Sequence, residues 1–378
     1  MQLLAIADDT TGALEVGGQL AMRGVRSLFT TEEEFDLASV AVVVDAQTRH
    51  LPAALARQTV ARLAGTAARA GIPFVYKKTD STLRGNIASE FRALLDAFPD
   101  RPLVYVPAYP KMGRVVTGGE LFVNGRPLGE TAIAHDPLNP VREGSIQAML
   151  AGACPLSLAE TSERLKSLLE EEPNGSVLVC DGRTDEDLQA TASVIAGFGQ
   201  PCIVAGTGGF VGEWASSLPV ERGYAPPELR VARCLVISGS LHPASIEQVR
   251  FAAANGLPTA YLSETEDGDV APGSGPWSAL ATAGTSPNGV GERMGALVRR
   301  ALEAGSADCL VIFGGDTTLA VLRSLGIMVL ESAGELLPGV PLSQTRYRGR
   351  PLTLVTKAGS FGGPGMLISI KEHLEKKQ

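Results

Sequence analysis

The stretch Leu3-Leu4-Ala5-Ile6-Ala7-Asp8-Asp9-Thr10-Thr11-Gly12-Ala13 combines a short apolar run, two carboxylates and the start of a helical pattern. The apolar run predicts a buried strand, and the residues after it predict a turn into a helix. The same alternation of short apolar runs and longer helical patterns continues along the chain. Such strands, separated by helices, are typical of parallel sheets covered on both faces. The sequence therefore predicts an α/β fold.

The remaining elements follow from the same patterns. Further strands are predicted at 40–45, 74–76, 103–106, 177–180, 202–205, 234–237, 259–262, 279–282, 309–313 and 352–356. Helices are predicted at 51–70, 86–98, 185–197, 244–255 and 289–304, and a Gly/Pro-rich surface loop at 267–276. Pro226 and Pro227 can continue neither a helix nor a central strand. We expect two domains, 1–227 and 228–378, each a largely parallel sheet flanked by helices, with the active site in the cleft between them.

Bulk composition excludes several classes of protein. A net charge of −8 and a pI of about 5.2 argue against nucleic acid as the main ligand. No apolar run reaches the roughly 18 residues of a membrane span, and the first residues lack the features of a signal peptide. Five cysteines without a C-x-x-C pair indicate buried, reduced thiols in a cytoplasmic protein. The four scattered histidines lead us to expect no structural zinc site.

Candidate ligand-binding side chains follow the first strands. Asp8 and Asp9 stand where the first strand ends, and in an open α/β sheet this edge binds ligands. They could hold Mg²⁺ or accept a proton, and helix capping by Asp9 or Thr10 is the alternative.

The run from Tyr76 to Asn86, YKKTDSTLRGN, places cations, a carboxylate and hydroxyls between a strand and a helix. A polyol acid needs that mixture, although a solvated turn is the alternative. Arg49 follows another strand and could join the site.

The region from residue 107 onward is predicted as an ordered loop without an assigned role. It begins Pro-Ala-Tyr-Pro-Lys-Met-Gly-Arg and carries Lys111 and Arg114. The runs NGRPLGET and HDPLNP continue it. Composition alone gives no further indication of its function.

The second half contains three strand-end turns rich in small residues. They begin at Ser238-Gly239-Ser240, Gly314-Gly315-Asp316-Thr317 and Lys357-Ala358-Gly359-Ser360. Glycines let backbone N–H groups approach phosphate oxygens, so three such turns at one sheet edge favour a nucleotide site. Tight turns without a ligand are the alternative. The run from Gly206 to Gly212 lacks the third glycine of a dinucleotide fingerprint, and no Walker A motif occurs.

Taken together, these motifs resemble the four-carbon acid sugar kinase family. The matching runs are IADDTTGA, YKKTDSTLRGN, VPAYPKMGRVVTGG with its NGRPLGET and HDPLNP continuation, GGDTT and TKAGSFGGPGML, in order along nearly the whole chain. The resemblance implies an N-terminal substrate domain, a C-terminal ATP domain and phosphorylation of D-threonate, D-erythronate, 3-oxo-tetronate or a close relative. It implies substrate contacts at Asp8 or Asp9, Arg49, Lys78, Asp80, Ser81, Thr82 and Arg84. It implies ATP contacts at Ser240, Gly314, Gly315, Asp316, Thr317 and Gly359.

Some positions depart from the family pattern. Thr10 replaces a large apolar residue, GGDT replaces GGET, and Leu241-His242 follows Ser240 in place of Cys-Ser. Ala358 and Ser360 stand where Ser and Gly are common. These changes affect the expected substrate more than the expected reaction.

The expected mechanism is direct in-line transfer of the γ-phosphoryl group of ATP, with Mg²⁺ on the triphosphate. Asp80, Asp8 or Asp9 would accept the hydroxyl proton. The sequence leaves the choice among the three open, and we favour Asp80 as the base or as a substrate anchor. The expected partners are a sugar acid and ATP. We expect neither nucleic acid nor a membrane as a partner. Assembly of the chain into a homo-oligomer stays open. Two rival interpretations are a catalytically silent ligand-binding protein and a nicotinamide-dependent dehydrogenase.

Overall fold

The computed structural model describes residues 2–35, 38–135, 140–141, 144–171, 175–229, 231–262, 275–282 and 289–376. They form two compact units, Met1–Gly223 and Tyr224–Gln378. Residues 136–139 of the HDPLNP run and residues 267–274 of the predicted surface loop lie outside the described residues.

The first unit is built on a parallel sheet covered by helices. Its strand order is β2-β3-β1-β4-β11-β5-β10-β9, and the strands are β1 (Leu3–Ala7), β2 (Ser27–Thr30), β3 (Ala41–Asp45), β4 (Phe74–Lys78), β5 (Leu103–Val106), β9 (Leu156–Ala159), β10 (Val177–Cys180) and β11 (Ile203–Gly206). The helices are α1 (Thr10–Ala21), α2 (Ala53–Arg69), α3 (Ile87–Ala97), α4 (Ile146–Leu150), α5 (Ser162–Glu171), α6 (Asp185–Gly197) and α7 (Gly208–Ser217). Every described pair in this sheet is parallel. The predicted α/β class is therefore confirmed.

A second, three-stranded antiparallel sheet occupies the region predicted as a loop. Its strands are β6 (Arg114–Thr117), β7 (Glu120–Val123) and β8 (Arg126–Pro127). Two tight turns connect them, at Gly118-Gly119 and Asn124-Gly125, and all four turn residues have positive φ. Val116, Leu121 and Val123 are buried. The loop prediction was wrong because strands of two to four residues carry too little periodicity to be recognised.

The second unit has a mixed sheet in the order β13-β14-β12-β15-β18-β17-β16. Its strands are β12 (Cys234–Ser238), β13 (Thr259–Leu262), β14 (Trp277–Thr282), β15 (Cys309–Phe313), β16 (Val329–Leu337), β17 (Val340–Tyr347) and β18 (Arg350–Lys357). Its helices are α8 (Pro243–Ala254), α9 (Val290–Glu303), α10 (Gly315–Leu325) and α11 (Met366–Lys376). Neighbouring strands pair in parallel along the part of the sheet ordered β13-β14-β12-β15-β18. The next strand, β17, pairs antiparallel with both β18 and β16. The sequence prediction missed this antiparallel edge.

Two bulk predictions can be compared with the structure. All five cysteines are buried and unpaired, as predicted. In the described parts of the chain, no helix combines the length and the apolar character needed to cross a bilayer.

Candidate active site

The candidate site of the first unit lies where β1, β3 and β4 end. The last residue of β1, Ala7, pairs with Asp45 of β3 on one side and with Lys78 of β4 on the other. The side chains that follow these strands therefore start from one edge of the sheet. The chain leaves β1 for β2 and β3 on one side, and β4 flanks β1 on the other side. This is a topological switch point, where α/β sheets form a crevice for ligands.

Arg49 connects three carboxylates at this edge. Its Nε and Nη2 atoms donate to the two carboxylate oxygens of Asp8 at 2.7 and 3.0 Å. Its Nη1 donates to Asp9 Oδ2 at 2.6 Å, and Nη2 lies 3.5 Å from Asp80 Oδ1. We call Asp8, Asp9, Arg49, Asp80 and Arg84 the charged cluster. The structure thus brings together residues that the sequence predicted separately.

Asp80 is held from three directions. Arg84 binds both of its oxygens, with Nε at 2.8 Å and Nη2 at 2.8 Å. The backbone N–H of Thr82 donates to Asp80 Oδ2 at 3.1 Å, and the Thr82 hydroxyl makes a short hydrogen bond to the same atom. Bidentate arginine–carboxylate pairs have a defined geometry. The loop after β4 is therefore ordered around its own carboxylate, with Ser81 half-buried beside it.

Asp9 is more accessible than the other two carboxylates of the charged cluster. Its side chain is 23% exposed, compared with 4% for Asp8 and 8% for Asp80. Asp9 Oδ1 accepts from the backbone N–H of Gly12 at 2.9 Å and so caps α1, as the capping alternative predicted. Lys78 lies close by, since a Cβ placed on Gly12 would be 2.9 Å from Lys78 Nζ. Glycine at position 12 lets the helix start against the lysine.

Burial and ion pairing shift the pKa values of these groups in opposite directions. Burial raises the pKa of Asp8, but Arg49, Lys77 and Lys78 outweigh it and leave that pKa below its usual value. Burial also raises the pKa of Asp80, and Arg49 with Arg84 brings it well below the usual range. Burial lowers the pKa of Arg49, yet its carboxylate neighbours hold it well above the ordinary value. Asp8 and Asp80 are therefore firmly ionised.

A buried ion pair lies behind the charged cluster, and the sequence prediction missed it. Lys77 Nζ lies 3.0 Å from Glu90 Oε2, and both side chains are almost fully buried. The hydroxyl of Thr48, the neighbour of Arg49, makes a short hydrogen bond to Glu90. This pair joins β4, α3 and the loop that carries Arg49. A recognisable signal existed, because Glu90 lies on the apolar face of α3 beside Ile87, Phe91 and Leu94.

Asp45 was also missed as part of this edge. It ends β3, is 2% exposed and accepts a 2.5 Å hydrogen bond from the hydroxyl of Thr10. Burial raises its pKa to about 7, with Asp9 and Asp8 contributing and the Thr10 hydrogen bond opposing. The hydrogen bond to Thr10 gives a local reason for the threonine that departs from the family pattern.

In the second unit, the three predicted turns meet at one sheet edge. Ser238, Phe313 and Lys357 are aligned across β12, β15 and β18. A Cβ on Gly359 would lie 2.5 Å from Ser240 Oγ, and one on Gly239 would lie 2.6 Å from Thr317 Oγ1. Gly314, with φ 96°, is the N-cap residue of α10 and lies against Ser240. Gly315 and Asp316 form the first turn of α10, where Asp316 is exposed.

We call residues 358–362 the glycine loop. Buried side chains donate hydrogen bonds to several of its backbone carbonyl groups. Lys357 Nζ donates to the carbonyl oxygens of Ala358 at 2.8 Å and Phe361 at 3.0 Å. Ser245 Oγ donates to Gly359 O at 2.6 Å. Gln248 Nε2 donates to the carbonyl oxygens of Phe361 at 2.9 Å and Gly362 at 2.7 Å. In a trans peptide the N–H points opposite to the carbonyl, so this arrangement turns the following N–H groups away from the buried side chains.

Lys357 is the least expected of these side chains, because the sequence prediction gave it no role. It is 1% exposed, and its Nζ lies 4.2 Å from the centre of the Phe313 ring. Burial lowers the pKa of Lys357 to about 7. The strand pattern that ends at residue 357 could have indicated a buried lysine, since the residues before it are apolar or small.

A cavity of about 230 Å³ adjoins these turns within the second unit. Its lining includes Ser238, Ser240, Arg250, Tyr261 and Thr282. The cavity therefore begins at the end of β12 and extends past the ends of β14 and β13. In the described ranges, no group of three or more histidine, cysteine or acidic side chains is arranged to hold a metal ion.

Comparison with known proteins gives the family. Residues 3–214 match a model described as a sugar-binding N-terminal domain, and residues 265–367 match a nucleotide-binding C-terminal domain. A D-threonate kinase of Bordetella bronchiseptica is 31% identical, over 99% of this chain and 97% of that protein. The chain belongs to the four-carbon acid sugar kinase family. It is therefore a phosphotransferase with an alcohol group as acceptor, as the resemblance implied.

A further relative and two solved structures extend this result. A 3-oxo-tetronate kinase of Cupriavidus necator is 29% identical, over 95% of this chain and 94% of that protein. A Salmonella typhimurium structure with a TM-score of 0.78 covers 97% of this chain and 98% of its own, at 23% identity, and shows the fold alone. A Bordetella bronchiseptica structure, 29% identical with a TM-score of 0.53, covers 99% and 98% and is a domain-swapped dimer with bound citrate. The homo-oligomer stays a prediction for this four-carbon acid sugar kinase family member.

Proposed function

We propose that the protein is an ATP-dependent kinase that phosphorylates a hydroxyl of a four-carbon sugar acid such as threonate, erythronate or 3-oxo-tetronate. The charged cluster is the observation that carries this proposal. It places the buried Arg49, the half-buried Arg84 and three carboxylates at a switch-point crevice, where an anionic polyol finds both donors and acceptors. The names of the relatives support this substrate class, and the match to a nucleotide-binding domain supports ATP.

We assign the nucleotide to the second unit. The glycine loop and the turns at Ser240 and Gly314 would hold the triphosphate through backbone N–H groups and a helix N-terminus. The cavity beside Ser240 would take the nucleoside. Mg²⁺ in kinases is bound by one or two carboxylates together with substrate phosphates. The exposed carboxylate of Asp316 fits that requirement, and the ion would neutralise charge on the phosphates.

In the first unit, we assign the sugar acid to the exposed side of the charged cluster. Lys78 and Arg84 would contact its anionic group, with Ser81 and Thr82 beside its hydroxyls. Arg49 would orient the three carboxylates. Because Asp8 and Asp80 each hold an arginine with both oxygens, we propose the more exposed Asp9 as the proton acceptor. The acceptor oxygen would bond to the γ-phosphorus, the bond to ADP would break, and the proton would pass to Asp9.

A kinase screen tests the proposed function. Purified protein is incubated with MgATP and each of D-threonate, D-erythronate, their L-isomers and 3-oxo-tetronate, with threitol and erythritol as uncharged controls. We expect ADP formation and a phosphorylated product with at least one acid and with neither polyol. Arg84→Ala should raise the KM for that acid by roughly 10- to 100-fold and leave ATP affinity unchanged. Absence of ADP formation with every acid, in protein that binds ATP, would contradict the proposal.

A further inference from the structure

Arg114 begins β6 from a rigid position in the first unit. The backbone N–H of Tyr109 donates to Arg114 O at 2.8 Å, and Arg114 N donates to Tyr109 O at 3.1 Å. Gly113, with φ 68°, precedes it and packs so closely against Asn124 that a side chain would collide there. Tyr109 lies shortly after the end of β5. The backbone of Arg114 is therefore fixed near the carboxyl edge of the parallel sheet.

The guanidinium of Arg114 contains a buried donor without an acceptor. Its Nη1 makes a short hydrogen bond to the carbonyl oxygen of Met112. Its Nε is shielded from solvent and has no hydrogen-bond partner among the described residues. A buried donor left unsatisfied carries a desolvation cost, which is larger when the group is charged. Such a cost is expected at a site that a ligand completes.

Arg114 lies within electrostatic range of the charged cluster. Burial lowers the pKa of its guanidinium, while the charge of Asp80 raises it and the charge of Arg84 lowers it. Arg49 and Arg84 each bind a carboxylate of the protein through two nitrogen atoms. Within the described part of the chain, Arg114 forms no ion pair. It differs from the other two arginines in lacking a protein carboxylate.

We propose that Arg114 is a substrate-binding residue whose Nε–H donates to the carboxylate of the sugar acid. This inference rests on the proposed function. A substrate carboxylate supplies the missing hydrogen-bond acceptor and also compensates the positive charge of the guanidinium. A substrate hydroxyl supplies only the hydrogen-bond acceptor. The small sheet β6–β8 thereby has a function, which is to supply the residue that distinguishes a sugar acid from the matching neutral polyol.

Two substitutions and a matched control test this role. Arg114→Gln removes the charge, and Arg114→Lys keeps the charge but loses the planar fork. Arg126→Gln is the control, because Arg126 is an exposed arginine of the same small sheet. The measurements are the KM for the acid that the screen identifies, the KM for ATP, competitive inhibition by threitol or erythritol, and the thermal midpoint without ligand.

We expect Arg114→Gln to raise the KM for the acid by about 10- to 100-fold, with polyol inhibition and the KM for ATP changed less than about twofold. Arg114→Lys should recover part of the loss, and Arg126→Gln should match the wild type. The ligand-free thermal midpoint should change little, because Nε has no partner to lose and the hydrogen bond from Nη1 to Met112 O is the only one that the guanidinium makes in the described part of the chain.

Three results would overturn the inference. The first is an unchanged acid KM in folded Arg114→Gln. The second is an equal loss for acid and polyol, which would mean a role in shaping the small sheet. The third is a loss confined to the KM for ATP, which would place Arg114 on the phosphoryl group. If the wild type phosphorylates none of the acids, the proposed function itself fails, and this inference fails with it.

Discussion

In the proposed function, the two units bind their anionic ligands with different chemical groups. The first unit uses charged side chains that are paired with each other, such as Arg49 with Asp8 and Arg84 with Asp80. The second unit uses backbone: its glycine turns expose peptide groups, and buried Lys357 and Gln248 fix the carbonyls. Side chains present a particular pattern of charge and hydrogen bonds, which suits one small substrate. Backbone amides suit a phosphate group whatever molecule carries it.

The largest expected effect concerns the proton acceptor. Asp9→Asn should lower kcat by roughly 10²–10⁴-fold, because asparagine can still cap α1 but cannot accept the proton. Steady-state kinetics at saturating ATP and acid measure it. The control is Asp187→Asn, which alters an exposed capping carboxylate of α6 and should leave kcat unchanged. A normal kcat in Asp9→Asn, with a large loss in Asp80→Asn or Asp8→Asn, would reassign the base.

Removing the central arginine tests how strongly the first unit depends on pairing. Arg49→Met should lower the free energy of unfolding by about 3–5 kcal/mol, since it leaves buried carboxylates uncompensated. Denaturant unfolding measures this change. The matched control is Arg62→Met, because Arg62 pairs with Glu33 in an exposed, also bidentate contact. That variant should cost no more than about 1 kcal/mol. Similar losses in both variants would mean that burial does not distinguish the two pairs.

A single methyl group tests the backbone site of the second unit. Gly359→Ala places Cβ 2.5 Å from Ser240 Oγ, so one of the two turns must shift. We expect the Kd for ATP to rise by about tenfold or more, equivalent to at least ~1.4 kcal/mol, with acid binding unchanged. Titration calorimetry measures both. Gly365→Ala is the control, because a Cβ there meets open space. Wild-type ATP affinity in Gly359→Ala would remove this turn from the nucleotide site.

The smallest effect is a pH dependence that arises from Lys357. Its pKa of about 7 in the folded protein is below the usual lysine value of about 10.4 in the unfolded chain. Between these values the unfolded state binds a proton that the folded state lacks, so the lysine's contribution to stability rises with pH. The wild type should gain about 1 kcal/mol over Lys357→Met between pH 7 and pH 8.

Urea unfolding at several pH values measures this difference. Lys371→Met is the control, because it alters an exposed lysine of α11. Its free energy of unfolding should change with pH in the same way as that of the wild type. A constant gap between wild type and Lys357→Met across this range would show that Lys357 keeps its proton in the folded state.

Many of these residues could be recognised before the structure was available. Asp8, Arg49, Asp80 and Arg84 all follow predicted strands, and the rule that parallel strands end at one edge brings them together. Ser240, Gly314 and Gly359 follow strands in the same way. Their partners could not be read from the motifs. Arg84 was predicted as a substrate contact, but no motif indicated that it also binds both oxygens of Asp80.

The sequence by itself determined most of the parallel strands, the α/β class and the motif residues at the strand ends, because these depend on local apolar patterns and turn residues. Tertiary structure alone decided which charged side chains form ion pairs and which backbone carbonyls accept hydrogen bonds from buried side chains. It also decided which buried donor, Nε of Arg114, has no acceptor among the described residues. Arg49 meets Asp8 across 41 positions, Thr48 meets Glu90 across 42, and Ser245 meets Gly359 across 114. Such contacts form only when distant segments share one sheet edge and exclude water, so no local pattern encodes them.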